Sequence, residues 1–178
     1  FSVLQNISLA GLAKFARGPW LSQAKESALC SSMVERLRIK TSSHDLPLSG
    51  LSGGNQQKVV IAKWLGLNPR IVILDEPTKG IDVGAKQAVY QLIAEMVEQG
   101  LAVILVSSEL PEVMNLAHRV VVMRRGLQVA EFARGTVDAE AIVAAASGLT
   151  VLPHAPKPIP AADVSAARTP HVKEALAT

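Results

Sequence analysis

Asp75 and Glu76 are adjacent carboxylates at the end of the apolar run "IVIL" (71–74). Such a run reads as a strand buried on both faces, and ligands of α/β sheets bind just beyond the carboxyl ends of the strands. Two neighbouring acids repel one another there unless a cation or water comes between them. Mg2+ accompanying phosphates fits, since it is held by one or two carboxylates together with phosphate oxygens. An acidic strand end left in solvent is the equal alternative. Upstream, "LSGGNQQK" (51–58) sets two glycines at the head of a helical segment, although glycine costs about 1 kcal/mol against alanine within a helix. Ser52 can start that helix by capping it. The first amides of a helix lack internal partners, and its dipole favours an anion beside them. Glycine lets a large anion approach that backbone closely, Asn55 and Gln56 add donors, and Lys58 adds charge. The chemistry on offer is phosphate binding, with a flexible loop ahead of a helix equally open. A third stretch, "VILVSSELPEV" (103–113), ends another apolar run in Ser107–Ser108, where serine is ordinarily a cap.

Elements of both periods must position these residues. "SVLQNISLAGLAKF" carries apolar residues near helical spacing, and "ESALCSSMVERLRI" places Leu29, Met33 and Leu37 four apart on one helix face. A loop over 40–50 leads to a helix from Asn55 to Leu67, with Trp64 expected in its core and "NPR" ending it. Asp82 can cap a helix running to Gln99, followed by Gly100 at its C-terminal cap. "AVILVS" (102–107) reads as a second buried strand and "LPEVMNLA" as a short helix. "RVVVMRRGLQVAEF" reads as two strands with a turn at Arg125–Gly126, and Thr136 can cap a last helix ending at Gly148. Strand and helix alternate as in a parallel α/β sheet, but with only two or three parallel strands the sheet looks incomplete. The expected organisation is a helical part over 1–50, an α/β part over 51–148, and a disordered tail over 149–178. Residues 151–178 hold five of the ten prolines and seven alanines.

Composition narrows the function. The chain has 178 residues, 49% hydrophobic but only 3% aromatic, so its core is aliphatic and base-stacking platforms are not expected. Net charge is +3, too small to imply nucleic acid. The single cysteine, Cys30, allows neither an intrachain disulfide nor a zinc cluster, and it is expected to be a small buried apolar residue. His44, His118, His154 and His171 show no metal-ligand spacing. Apolar runs stop short of the roughly 18 residues a membrane span needs.

Taken in order, LSGGNQQK, ILDEPTKGID and VSSELPE resemble the ATPase subunit of an ABC transporter. LSGG resembles the signature motif, ILDEP the Walker B strand, Gly80–Asp82 the D-loop, and Ser108 stands at the switch-loop position. "NQQK" after LSGG, "DVGAK" and "SSELPEV" resemble the second ATPase half of bacterial monosaccharide importers of the ribose, xylose and galactose type, over about Ser2 to Glu131. The resemblance implies that Ser52, Gly53 and Gly54, with Gln56 close by, contact the γ-phosphate of ATP held by an opposite half. It also implies that Asp75 organises Mg2+ through water, that Glu76 is the general base, and that Asp82 spans the dimer interface. Implied partners are a second ATP-binding half or subunit, membrane permease subunits and, indirectly, an extracytoplasmic sugar-binding protein, with no nucleic acid. The implied location is the cytoplasmic face of a bacterial plasma membrane.

Two departures from the family pattern matter. The sequence contains no G-x-x-x-x-G-K-[S/T], the loop whose backbone and lysine cradle the phosphates. The expected fold is therefore an α/β P-loop NTPase core that lacks the portion bearing that loop, with a helical subdomain: the C-terminal piece of a longer ATPase, a piece that is inactive by itself. The family's switch histidine is replaced by Ser108, which is shorter and carries no proton that titrates near neutrality, while the general base is retained. Two rival readings accompany this one: a non-catalytic fragment that donates a signature or dimerises, and an ATPase of the chromosome-maintenance or repair type. The latter carry long coiled-coil arms, and sustained heptads are not found in this sequence.

Overall fold

The computed structural model describes residues 1–17, 20–136 and 138–149. They form two compact units divided between Val106 and Ser107. The expected disordered tail falls almost entirely outside the described residues.

The first unit begins with helix α1 (Val3–Ser8), closed by a capping box in which Ser2 and Gln5 satisfy one another's backbone amides. A 3-10 turn (Leu9–Gly11) and the one-turn helix α2 (Leu12–Phe15) follow. The expected continuous helix is thus broken, and β1 (Ala16–Arg17) pairs antiparallel with β2 (Trp20–Leu21). Helix α3 (Gln23–Arg36) buries Cys30 and Met33. Helix α4 (Gly53–Leu65) starts two residues before the expected Asn55 and buries Gly54, Val59, Ile61, Ala62 and Leu65. Helix α1 packs on both α3 and α4, and α4 packs on α5 (Val83–Glu98). The core is aliphatic, with Val3, Ile7, Val59, Leu65, Val89 and Met96 at 0–1% exposure. Each such side chain contributes about 1.5–3 kcal/mol through burial. Trp64 is not in that core: it is 52% exposed, with the Lys63 ammonium over its ring. It lies four residues after exposed Val60, so both share the outward stripe of α4.

Strand β3 (Ile71–Asp75) pairs in parallel with β4 (Ala102–Val106), Asp75 standing opposite Val106, and α5 makes the crossover. The expected α/β pattern is realised here, but burial on both faces is not. Val72 and Leu74 turn inward, while Ile71 and Ile73 stand 60% and 67% exposed and Ile104 and Val106 stand 51% and 49% exposed. Side chains alternate across a strand, and the described residues cover one face of this two-stranded sheet. The sequence of these strands suits a second covering layer.

The burial of Cys30 has a thermodynamic consequence. Burial, and secondarily the Asp45 carboxylate, push its thiol up from 9.0 to about 11. The unfolded chain therefore loses this proton first. Its contribution is whole below pH 9.0 and is lost as pH rises toward 11, at no more than about 1.4 kcal/mol per pH unit. Urea titrations from pH 8 upward should show the parent losing stability faster than Cys30→Ala; parallel curves would contradict the assignment.

The second unit is a β-hairpin with helices. Strand β5 (Arg119–Arg124) pairs antiparallel with β6 (Leu127–Ala133), with a bulge at Val122/Met123. The expected Arg125–Gly126 turn is present, both residues at positive φ, as a two-residue hairpin turn requires. No third parallel strand joins β3 and β4 among the described residues. Val120, Val122 and Ala130 pack with Ile142 and Ala145 of helix α7 (Ala139–Ser147), flanked by Leu110 and Val113 of α6 (Leu110–Leu116). The cap of α7 is Asp138, whose carboxylate accepts from Ala141 N, and not the expected Thr136, whose hydroxyl donates to Ala133 O. Gly148 ends α7 in the left-handed conformation, as expected.

Candidate functional site

The start of α4 is built differently from the reading of its sequence. Ser52 is the N-cap residue, but its side chain does not cap; its hydroxyl accepts from Asn55 Nδ2 at 2.9 Å. The other end of the Asn55 amide accepts from Lys40 N at 2.9 Å. Gln56 Nε2 donates back to Leu51 O at 2.8 Å, and Lys58 Nζ donates to Arg38 O at 3.3 Å. Asn55, Gln56 and Lys58 therefore brace the 38–52 segment, and those donors are engaged within the chain. The Lys58 amine is pushed down by burial and then by the charges of Arg38 and Lys40, with Glu95 opposing. The anion-binding capacity of this end rests on its backbone: the first intrahelical bond is Gln56 N to Ser52 O, so the N–H groups ahead of it have no acceptor inside the helix.

The two glycines differ in kind. Gly53 is exposed, and a Cβ there would meet only Ile81, at an ordinary 3.4 Å. Gly54 is buried, and a Cβ there would lie 2.7 Å from Ala85 Cβ, inside any permitted contact. The sequence reading gave both glycines to close approach of an anion. For Gly54 the structure supplies a packing reason as well, the close crossing of α4 and α5.

Asp82 caps α5 as expected, its carboxylate accepting from Ala85 N at 2.8 Å. Residues 76–82 fold as successive turns, Lys79 N to Glu76 O and Ile81 N to Thr78 O, with Thr78 buried and Gly80 at φ +77. The first unit thus brings together Ser52, Gly53 and Gly54 with Ile81, Asp82 and Ala85. Asp75 is exposed at the end of β3, and Glu76 follows it at φ 46, a left-handed conformation uncommon for a residue with a side chain. Its N–H donates to Val106 O at 2.8 Å, which extends the parallel ladder by one bond and holds that conformation. Backbone outliers of this kind cluster at functional sites. Ser108 belongs to the second unit; there Ser107 Oγ accepts from Glu109 N at 3.0 Å, a local turn ahead of α6.

An exposed carboxylate with hard oxygen donors at a strand's carboxyl end suits Mg2+. Among the described residues, no group of three or more His, Cys, Asp or Glu side chains is placed to hold a metal ion. Sequence reasoning missed Ala85 and Ile81, although a small residue three positions after the capping Asp82 was the available signal. It also missed the bracing role of Asn55.

A family model described as ABC transporter matches residues 2–79. The chain is 50% identical over 147 residues to the ribose import ATP-binding protein RbsA of Jannaschia sp. (strain CCS1), covering 83% of this chain and 28% of that protein. It is 47% identical to the protein of that name from Oceanobacillus iheyensis, covering 83% and 30%. It thus spans under a third of the length of these curated relatives. Among solved structures it is similar to the dimeric ATP-binding cassette MJ0796 in a post-hydrolysis state bound to ADP and Pi, with TM-score 0.62 and 25% identity over 75% of this chain and 56% of that one. It also shares the fold of MJ1267, an ATP-binding cassette of an ABC transporter, with TM-score 0.68 and 20% identity over 81% and 62%. Motif order, family match, relatives and fold agree: residues 2–79 match the ABC transporter family model, and the chain is similar to ABC transporter ATP-binding proteins and shares the fold of their cassettes.

Proposed function

We propose that this chain is the signature-bearing part of an ATP-binding subunit that energises uptake of a monosaccharide through a membrane permease. The observation that carries the reading is the pairing of the α4 amino end with the Ile81–Ala85 segment in one packed unit. It sets N–H groups that have no acceptor inside the helix beside a capped acidic loop. Similarity to ribose import ATP-binding proteins supports the substrate class. The expected γ-phosphate contact from Ser52, Gly53 and Gly54 uses backbone donors, and Gln56 stays with them as a neighbour whose amide nitrogen is engaged by Leu51 O.

Phosphoryl transfer is catalysed chiefly by positioning and charge stabilisation, and the proposed parts divide accordingly. Mg2+ would be held through Asp75 and would neutralise phosphate charge. Glu76, fixed by its bond to Val106 O, orients and deprotonates the attacking water. The α4 end stabilises charge on the terminal phosphate. Asp82 faces the second ATP-binding half, and Ser108 takes the switch position without a titratable proton. The described residues include no helix long and apolar enough to cross a membrane, and the proposed place is peripheral, at the cytoplasmic face beside the permease.

The absence of a phosphate-cradling G-x-x-x-x-G-K-[S/T] from the 178 residues favours a second reading for this polypeptide by itself, that of a signature donor. Calorimetry should then give a dissociation constant for Mg-ATP of about 1 mM or weaker, near −4 kcal/mol, with no turnover. Micromolar binding would contradict it. For the subunit at the length of its relatives, permease-containing vesicles should accumulate ribose only when the subunit and ATP are both present. Uptake that does not need the subunit would overturn the transport reading.

A further inference from the structure

We infer that Ala85 is a positioning residue for the phosphate-gripping end of α4, acting through its contact with Gly54. The inference rests on the function proposed above and adds a residue that neither the signature nor the D-loop pattern contains. Gly54 is buried near the amino end of α4, and Ala85 lies in the first turn of α5. A Cβ built on Gly54 would sit 2.7 Å from Ala85 Cβ, but 3.5 Å from Ala85 Cα and 3.9 Å from Ala85 O. Only the single methyl of Ala85 stands in the way; the backbone behind it is at ordinary contact distance. Ala85 N is also the group that Asp82 caps, and Lys86 N continues to Asp82 O. One residue thus touches the α4 end with its side chain and anchors the acidic loop with its amide. Gly53 rests on Ile81 of that same loop at 3.4 Å. The two features meant to face nucleotide and partner are therefore one packed body, and its spacing is set by the sum of the side chains at 54 and 85. One methyl shared between the two positions is accommodated; two are not.

The test is a size swap. Gly54→Ala should force α4 and α5 apart by a fraction of an ångström or more. Turnover in the full-length subunit should fall by about 100-fold, the cost of misplacing a catalytic group by about 1 Å, and the thermal midpoint of the 178-residue chain should drop. Ala85→Gly with Gly54→Ala returns the total to one methyl and should restore turnover to within about threefold of the parent, a non-additivity that only residues in contact show. The loss should appear in kcat, with KM for ATP held near the parental value, because the substitutions change packing behind the α4 end and neither add nor remove a charged or polar group. Recovery of the melting temperature without recovery of kcat would show a structural contact only and overturn the positioning role. Failure of the swap to recover either quantity would overturn the contact itself. A parent subunit that never turns over ATP would sink the functional reading and the role of Ala85 with it, whereas the melting data would still report on the packing.

Discussion

Gly53→Asp is expected to move stability and activity in opposite directions. Residue 53 is the first residue of α4, exposed, with only Ile81 near its missing Cβ. A carboxylate there meets the positive end of the helix dipole and should stabilise the chain by about 0.3–1 kcal/mol. The same carboxylate would occupy the place proposed for a phosphate and repel it. Turnover at the site whose nucleotide this end grips should fall by about 100-fold or more, the scale of losing one charge-stabilising donor. Denaturant midpoints of the 178-residue chain and steady-state turnover of the full-length subunit give the two arms. A bland helix start would show the gain in stability and no loss of turnover.

Glu76→Gln is the second large expected effect. The amide is nearly isosteric, keeps the left-handed backbone and its bond to Val106 O, and removes only the capacity to accept a proton. General-base removal costs about 100- to 10,000-fold, so single-turnover hydrolysis at this site should fall by that range while nucleotide affinity stays within about twofold, about 0.4 kcal/mol. Ser108 makes the experiment sharper. If Ser108 without a titratable proton has silenced the site, Glu76→Gln changes nothing, and Glu76 is a structural cap on β3 instead of a base. A drop in turnover assigns the chemistry to Glu76.

How much of this was legible beforehand depends on the range of the interaction. Asp82 capping α5, Gly148 closing α7 and the Arg125–Gly126 turn are local, and the residue types alone specify them. The parallel pairing of β3 with β4 followed from two apolar runs flanking one amphipathic helix. The misses are tertiary. Trp64 is expected in the core, but which stripe of α4 faces inward depends on where α1 and α5 lie. Burial of β3 on both faces was inferred from its apolar run, and burial depends on layers supplied by other elements. Thr136 and Asp138 are both competent caps, and a choice two residues apart is decided by where the chain leaves β6. At the site, the order of the motifs carried the chemistry, but nothing local showed that Asn55 and Lys58 reach back to the 38–52 segment. The different burdens of Gly53 and Gly54 were equally hidden, because the second is set by a residue 31 positions away (85 − 54).

The most direct measurement is a structure of the full-length Glu76→Gln subunit trapped with ATP and its partner half. Oxygens of the terminal phosphate should lie within hydrogen-bond reach of the N–H groups at Gly53 to Asn55, with the nucleotide held by the opposite half. An α4 end facing bulk water, with the phosphate bound entirely elsewhere, would contradict it.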